Sequence, residues 1–490
     1  MPTWPHLNES MLKRVPAIAG CAGVLVLAAF ALAQSSHRFW GAPLSALVFA
    51  ATLTCLPRSR PAWNSPICPW NWALLLFSLQ LLVMPLLITI QGVALAVLPA
   101  LPSPFAINLA VLFNSLQFVI VCLIYSGYRR RARVEQIPVG NRTAIADTGK
   151  SVLFYALIGM IGIACSFSDP SGILEYFENP AYYSDYLRQS SSTWQGLAAI
   201  LLKPFLGFAI VLCWCRWIDS AGNTASWPRR AIVAVLVGLG IVLGFSLIGY
   251  SRGAVAVPLV SITAVAWTKD KAARTAMLII GFVLLALSPA YAIYRTGSQL
   301  RENPLTNLDL AGFASDRMPL SDTVQMYGGA PQFLGFLIER SNWGSEPHWG
   351  RLIGSSIISP VPVLGKDFRA TSGFATFNRL IYGTDAIADQ NAPFIGEAFL
   401  DLNLAGVFLA PCLLGCALCR LQSGFESSQS SIEMYIWQCL GIWASFVIIA
   451  SIEVPSQMLI YSCWPFYLFW FQRARLRRRL RPEHLRAQAI

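Results

Sequence analysis

Two carboxylates four residues apart lie near the start of an apolar stretch in the last fifth of the chain. Glu397 and Asp401 are at positions i and i+4, so a helix over 393–418 carries both on one face. They lie about 6 and about 12 Å into that helix, and Lys203 lies about 13 Å into another, at 1.5 Å per residue. Ionisable groups at such depth often mark functional sites in membrane proteins. The pattern is typical either of a structural ion pair or of a polar funnel that reaches inward from one surface.

The long segment 295–392 holds eight basic residues that could bind phosphate oxygens or carboxylates. Its eight basic residues stand beside nine acids, so pairing with those acids is the alternative role for each arginine. The candidate binding residues here are Arg317, Arg340, Arg351 and Arg369. Its aromatic residues, Tyr382 among them, suit stacking against sugar rings. Loops of this length without structure are uncommon unless functional, so we expect short helices that cover a cavity.

Arg252 stands in a short turn, 249–253, between two apolar stretches. A rigid hairpin there would hold the charge at the membrane surface, whereas a snorkelling interfacial arginine is the alternative. Of the four histidines only His348 lies in the long segment, and none of the twelve cysteines does. We therefore expect no metal site, no cofactor and no disulfide framework there.

Membrane helices must position these residues, because the composition is unlike that of a water-soluble protein. Hydrophobic residues make up 55% of the chain and charged residues 12%, half of the roughly 25% that soluble domains carry. Apolar runs long enough to cross a hydrocarbon core of about 30 Å recur along the chain. We predict twelve spans: 15–34, 39–56, 70–92, 105–128, 151–167, 194–217, 231–250, 254–267, 275–294, 393–418, 435–452 and 456–472. The sequence thus predicts an all-α polytopic membrane protein.

The distribution of Lys and Arg predicts the orientation, because these residues collect in short cytoplasmic loops. With a cytoplasmic N-terminus, 23 of the 36 lie in inside segments and three in short outside segments. Both termini are then cytoplasmic, and the net charge of +12 reflects topology rather than nucleic-acid binding. The expected parts are an N-terminal bundle of about nine helices, a large outer loop, about three C-terminal helices and a basic tail: 1–294, 295–392, 393–472 and 473–490.

Three stretches resemble the O-antigen polymerase (Wzy-type) or oligosaccharide repeat-unit polymerase family. Gly249-Tyr250-Ser251-Arg252-Gly253-Ala254 is similar to the Ser-Arg-Gly turn of the family. His348-Trp349-Gly350-Arg351-Leu352, which runs to Pro360-Val361-Pro362 and Lys366, resembles part of the large outer loop. Pro393-Phe394-Ile395-Gly396-Glu397-Ala398-Phe399 with Asn403-Leu404-Ala405-Gly406-Val407 resembles a run that enters the next helix. Phe399 and Leu404 depart from the tyrosine and the aromatic residue that are common there.

The resemblance implies a C-type, metal-independent, inverting glycosyltransferase at the periplasmic face of the bacterial inner membrane. Such an enzyme transfers a growing glycan from undecaprenyl pyrophosphate to a lipid-linked repeat unit in O-antigen, capsule or exopolysaccharide synthesis. Its expected partners are these lipid-linked glycans, membrane lipids, a flippase and a chain-length regulator, and no nucleic acid.

Two roles must be filled for such a reaction. Cationic groups must stabilise the departing pyrophosphate, which is expected of Arg252 and the loop arginines, with Lys203 and Tyr382 also in the substrate-binding set. The acceptor hydroxyl needs a general base, for which the candidates in order are Glu397, His348 and Asp389.

Other classes of protein remain open at this point. An O-antigen ligase would rely on a histidine of the outer loop, where only His348 could serve. A transporter or flippase of lipid-linked sugars would place charges at mid-membrane in paired halves, which the single large loop near the C-terminal third disfavours. A secretion scaffold without chemistry would tolerate every single arginine substitution.

Overall fold

The computed structural model describes residues 41–55, 67–91, 98–134, 149–167, 194–220, 252–269, 328–344, 346–362, 364–383, 392–428 and 430–479, and positions 236, 238, 240, 274, 275 and 325. Every regular element in these residues is a helix. Five helical segments are long and apolar enough to cross a membrane: Pro69–Ile88, Pro104–Arg129, Gly196–Asp219, Leu404–Glu426 and Ser431–Ile448. The described part of the chain therefore has the structure of a helical membrane protein. The predicted spans 15–34, 231–250 and 275–294 lie almost entirely outside it.

The helices follow one another along the chain with short connections in the C-terminal half. The first eight are α1 (Gly41–Cys55), α2 (Pro69–Ser78), α3 (Met84–Gln91), α4 (Pro104–Val134), α5 (Gly149–Ser166), α6 (Trp194–Leu202), α7 (Pro204–Ser220) and α8 (Arg252–Lys269). The rest are α9 (Pro331–Arg340), α10 (Arg351–Ile358), α11 (Lys366–Arg369), α12 (Gly373–Tyr382), α13 (Phe394–Leu402), α14 (Leu404–Glu426), α15 (Ser431–Ser445), α16 (Glu453–Tyr461) and α17 (Trp464–Arg479). A π-helical turn, Leu79–Val83, joins α2 to α3.

The single helix predicted over 393–418 is two helices in the structure, and the break is at Asn403. Asn403 has a φ of 54°, a left-handed value that asparagine tolerates better than most residues. Its side-chain oxygen accepts a hydrogen bond from the N–H of Leu404 at 2.6 Å, which caps α14. The chain turns so tightly that a Cβ on Gly406 would lie 1.8 Å from the carbonyl oxygen of Ala398. As a result α13 ends before the spanning helix α14 begins.

The predicted span 194–217 is also divided, between α6 and α7. Pro204 begins α7, and its ring leaves no N–H to continue the hydrogen bonds of α6. Lys203 is the residue at this break.

Two apolar cores hold the molecule together. The larger one lies among the spanning helices and includes residues of α2, α4, α7, α8, α14, α15 and α17. The smaller one packs α9, α12 and α13 against α3 and the first half of α4, with Phe336, Phe377 and Phe399 inside it. The short helices of 328–383 therefore lie at the end of the bundle where α4 and α14 begin.

Candidate functional site

The carboxylate of Glu397 is fully buried and accepts hydrogen bonds from two serines and a backbone amide. Glu397 lies in the first turn of α13 and is 0% exposed. Its Oε1 accepts from the hydroxyls of Ser356 at 3.0 Å and Ser451 at 2.8 Å. Its Oε2 accepts from the N–H of Ile452 at 2.9 Å. These four residues and Gly373 form the Glu397 cluster, which joins α13 to α10, α12 and the segment that leads into α16.

Gly373 brings the N-terminus of α12 against this carboxylate. It follows the N-cap residue Ser372, and its N–H donates to the hydroxyl of Ser356 at 2.8 Å. A Cβ at this position would lie 2.1 Å from Oε1 of Glu397, so a larger residue requires movement. Ile452 is likewise the N-cap residue of α16. Two helix N-termini therefore face one carboxylate, and their partial positive charge favours an anion there.

Asp401, one turn further along α13, caps the N-terminus of α10 from a distant part of the chain. Its Oδ1 accepts from the N–H groups of Gly350 at 3.0 Å and Leu352 at 3.1 Å, and its Oδ2 from that of Ile353 at 3.1 Å. The N-cap residue Gly350 has a φ of 89° and supplies no side-chain cap of its own. Asp401 therefore satisfies amides that α10 would otherwise leave unpaired.

The ion pair between Lys203 and Asp401, one of the two sequence interpretations, is absent from the residues that the structure describes. Lys203 is 2% exposed, and its Nζ lies 6.0 Å from the centre of the Phe167 ring. Its backbone nitrogen lies 2.4 Å from where a Cβ on Gly162 would be, so α5 packs tightly against the break between α6 and α7. No hydrogen bond or ion pair joins Lys203 to the Glu397 cluster in the described part of the chain.

A second carboxyl, that of Glu453, lies beside the Glu397 cluster in the first turn of α16. Its N–H donates at 3.0 Å to the hydroxyl of Ser451, which also serves the Glu397 cluster. Its carboxyl faces the hydroxyls of Ser359 and Ser372 and the guanidinium of Arg369. Its Oε2 is buried and accepts no hydrogen bond from the residues that the structure describes. The side chain as a whole is only half-buried.

Burial raises the pKa of both carboxyls above the range of an ordinary carboxylic acid. For Glu397 the hydrogen bonds from its three donors partly offset the effect of burial and leave a pKa of about 7. For Glu453 burial again raises the pKa, and the nearby hydroxyls and guanidinium oppose that rise. The carboxyl of Glu397 therefore changes its protonation state near neutral pH, and the charge of Glu453 adds to the rise in its pKa.

Arg369 and Tyr461 complete the surroundings of Glu453. Arg369 is exposed on α11, and its Nε donates to the carbonyl oxygen of Ser359 at 3.4 Å. Its guanidinium interacts with the hydroxyl of Tyr461, which counteracts the larger rise in the pKa of Tyr461 caused by burial. A carboxyl, a guanidinium and a phenol thus lie together. Such a group can accept a proton and stabilise negative charge.

The other predicted residues of the long segment that the structure describes lie on or near its surface. His348 and Arg351 are exposed and flank the N-terminal turn of α10. Arg340 is exposed at the end of α9, with its guanidinium carbon 5.4 Å from the centre of the Phe336 ring. Tyr382 is half-buried at the end of α12, against the smaller core. Among the predicted arginines, Arg369 is the one that connects to the Glu397 cluster in the described residues. It faces the carboxyl of Glu453, whose N–H donates to Ser451 of that cluster.

Three predicted site residues lie wholly or in part outside the described residues. Arg252 is the first residue of α8, but its side chain lies outside the described part of the chain. Arg317 and Asp389 both lie outside the described residues. The roles predicted for these three residues stay predictions.

Glu453 and Tyr461 were missed in the sequence. Glu453 stands between the predicted spans 435–452 and 456–472, where an acid in a short turn is ordinarily solvated. The sequence does contain one indication of the site: Ser451 and Ser456 stand on either side of Glu453 at a predicted membrane boundary. Hydroxyl groups on both sides of an acid at such a place indicate a polar site rather than a plain turn.

No group of three or more His, Cys, Asp or Glu side chains in the described residues could hold a metal ion. Comparisons of the chain with known protein families, with curated proteins and with solved structures found no match. Function is therefore inferred from the residues and their geometry.

Proposed function

We propose that this protein is a polysaccharide polymerase that joins undecaprenyl-pyrophosphate-linked oligosaccharide repeat units in O-antigen, capsule or exopolysaccharide synthesis. It works in the bacterial inner membrane as a multi-pass protein of about twelve spans, with both termini in the cytoplasm and Glu397 toward the periplasm. It is an inverting glycosyltransferase that uses neither metal nor cofactor. A flippase and a chain-length regulator act in the same pathway.

The contact between two of the stretches that resemble the polymerase family carries this proposal. The stretches 348–366 and 393–407 are separate in the sequence. They meet where Ser356 donates to Glu397 and where Gly350 donates to Asp401. If the two resemblances had arisen by chance, there would be no reason for the first stretch to donate hydrogen bonds to the buried carboxylates of the second. Their contact supports one site built from both.

The chemistry of the site suits transfer of a glycan from a pyrophosphate. The oxygen of the acceptor hydroxyl attacks the anomeric carbon of the donor glycan, and the bond from that carbon to the pyrophosphate oxygen breaks. The pyrophosphate leaves with the bonding electrons, and the proton of the acceptor goes to a carboxylate. Arg351 and Arg369 are exposed at this end of the molecule and can stabilise the departing anion.

A small apolar cleft of about 40 Å³ lies beside α16, too small to hold the lipid part of such substrates as it stands. It is lined by residues of five helices, among them Phe208, Pro258, Tyr435, Trp443, Met458 and Phe466. Met458 lies between one and two turns along α16 from Glu453, so the cleft and the carboxyls are connected by one helix.

Glycan ladder analysis tests the polymerase activity. The gene is deleted and then restored as wild type, as Arg252→Ala, as Glu397→Gln or as Arg420→Ala, a control on the exposed side of α14. We expect deletion to remove long polymer and to leave single repeat units. Wild type and the control restore the ladder, whereas Arg252→Ala and Glu397→Gln do not, at equal protein levels in the membrane.

Two other outcomes contradict this proposal in different ways. An unchanged ladder on deletion excludes polymerisation and favours transport of lipid-linked sugars. Long polymer that forms but stays on the carrier lipid, without reaching its final acceptor, indicates a ligase instead.

A further inference from the structure

We propose that Glu453, rather than Glu397, is the catalytic residue that accepts the proton of the acceptor hydroxyl, and that Glu397 is a positioning residue behind it. This inference rests on the proposed polymerase function. It differs from the order of candidates that the sequence suggested, in which Glu397 comes first and Glu453 does not occur.

The closed surroundings of Glu397 argue against direct contact with a sugar. Its side chain is 0% exposed, and each of its carboxylate oxygens already accepts a hydrogen bond from the protein. A Cβ on Gly373 would lie 2.1 Å from Oε1, so the N-terminus of α12 is packed directly on the carboxylate. A substrate hydroxyl could reach this carboxylate only if α12 or the segment before α16 moved.

Glu453, whose side chain is half-buried, is less enclosed than Glu397, and its carboxyl has a buried oxygen, Oε2, to which no described residue donates a hydrogen bond. An acceptor hydroxyl can supply the hydrogen bond that this oxygen lacks, because a buried carboxylate oxygen is stabilised by a donor. The exposed guanidinium of Arg369 lies on the same side and offers N–H donors to an anion.

Ser451 connects the two carboxyls and explains how Glu397 acts on Glu453. The hydroxyl of Ser451 donates to Glu397, and it accepts from the N–H of Glu453. The first turn of α16 is thereby fixed from Glu397 through one side chain and through Ile452. Loss of the Glu397 hydrogen bonds would displace Glu453 without removing its carboxylate. Glu397 is therefore a positioning residue.

The proton transfer needs only the carboxylate of Glu453 and water. The carboxylate of Glu453 takes the proton as the acceptor oxygen bonds to the anomeric carbon, and the pyrophosphate leaves with the electron pair. The neutral carboxylic acid then returns the proton to water. A raised pKa suits a general base because it makes the carboxylate a better proton acceptor. The groups that face it are Glu397, Arg369, Tyr461, Ser359 and Ser372.

Repeat-unit polymerisation in isolated membranes tests this role. Single-repeat lipids extracted from the deletion strain are supplied to membranes that contain wild type, Glu453→Gln, Glu453→Asp or Glu397→Gln. Glu346→Gln is the matched control, because Glu346 is an exposed acid in the turn before α10 and does not belong to the Glu397 cluster. We expect Glu453→Gln to lower the initial rate by about 100-fold or more, in line with the loss of a general base. Glu453→Asp retains part of the rate, and the control keeps all of it.

The pH profile separates a base from a structural residue. A base works as the carboxylate, so the rate of wild type rises with pH through the pKa of Glu453. The profile of Glu453→Asp shifts to lower pH, because aspartate is the stronger acid by about 0.4 unit in peptides. Glu397→Gln is expected to keep a rise of the same form at a lower plateau, since the base is still present.

Each result bears on one of the two proposals. Glu453→Gln within about 3-fold of the wild-type rate at equal membrane level overturns the role of Glu453, while a deletion that abolishes polymer leaves the polymerase function standing. If Glu453→Gln does not accumulate in the membrane, the profile of Glu453→Asp decides, and a profile that coincides with that of wild type overturns the role. A deletion without effect on polymer removes the proposed function itself.

Discussion

The two ends of the helix pair α14–α15 each hold a hydrogen-bonded carboxylate, but the two are stabilised in different ways. At the end of α14, Glu426 forms an ion pair with Arg129, which is 6% exposed and whose Nε donates to the hydroxyl of Tyr125 at 2.8 Å. Gln422 donates to Glu426 at 2.7 Å and accepts from the N–H of Trp70 at 3.0 Å. These five residues form the Arg129 cluster. At the opposite end, the Glu397 cluster has hydroxyls and amides in place of the cation.

The difference indicates that one end is a fixed brace and the other can change its charge. A guanidinium keeps its charge at any physiological pH and holds a carboxylate in a bidentate geometry. Hydroxyls can donate to a carboxylate or accept from a carboxylic acid, so the Glu397 cluster can hold either protonation state. Arg369 and Glu453, the residues proposed to meet the substrate, adjoin the second kind of cluster. Such an arrangement is typical of a site that moves protons.

The largest expected effect comes from breaking the Arg129 cluster. Arg129→Met leaves the carboxylate of Glu426 without its cation at a position where the side chain is only 25% exposed. The pair is buried on the arginine side only, so we expect its loss to cost about 2–3 kcal/mol in free energy of unfolding, less than for a fully buried pair. We expect the melting temperature of the detergent-purified protein, followed by tryptophan fluorescence, to fall strongly.

Two further variants make this result specific. Arg420→Met changes an exposed arginine of α14, the helix that carries Glu426, and is expected to leave the melting temperature nearly unchanged. Arg129→Met combined with Glu426→Gln removes both charges and is expected to recover part of the loss. If Arg129→Met melted like wild type, the Arg129 cluster would not be a brace.

A smaller effect is expected from the charge of Glu397, and it depends on pH. The pKa of about 7 lies above the value of about 4.3 for an unfolded glutamate. A raised pKa in the folded state gives stabilisation that is complete below the unfolded pKa and is lost as pH rises through the folded pKa. We therefore expect the free energy of unfolding to fall by about 2 kcal/mol between about pH 5 and about pH 8.

Melting curves across this pH range, with Glu397→Gln beside wild type, measure the contribution. The glutamine cannot ionise, so its curve is expected to be flatter than that of wild type. Glu453 contributes in the same direction, because its pKa is also raised. A wild-type protein that became more stable toward pH 8, relative to Glu397→Gln, would show that the cluster favours the ionised form instead.

The sequence predicted the helical class and the shared face of Glu397 and Asp401, and both are confirmed. The two carboxylates lie on one face because both bond to α10, through Ser356 and Leu352. Periodicity and spacing reveal such features, since they depend on neighbours along one helix.

The partners of these carboxylates could not be predicted from the sequence. The i, i+4 acids suggested a cation such as Lys203, but their partners are backbone N–H groups and serines more than 40 residues away. Every segment has N–H groups, so no residue type marks the one that will be capped from elsewhere. The break at Asn403 was hidden for the same kind of reason, since the turn depends on a close approach between Gly406 and Ala398.

The smallest effect is expected from a change in packing rather than in charge. It compares alanine substitutions of two glycines, one in α12 and one in α10. Gly373→Ala places a Cβ 2.1 Å from Oε1 of Glu397, a contact that the flexible carboxylate must relieve by moving. We expect a loss of about 1–2 kcal/mol in free energy of unfolding, as is usual for overpacking. Gly354 lies inside α10 with no atom within 4 Å of an added Cβ, so Gly354→Ala is expected to stabilise by about 0.5 kcal/mol.

The opposite signs of these two changes separate the Glu397 cluster from a loosely attached loop. If α12 were held on α13 only weakly, it would move aside, and both alanines would stabilise by similar amounts. A loss confined to Gly373→Ala, with a change in its pH dependence of melting, would show that the N-terminus of α12 and the carboxylate of Glu397 are one packed unit. Because that unit adjoins Glu453, the same variant is then expected to lower the rate of the proposed polymerisation more than Gly354→Ala does.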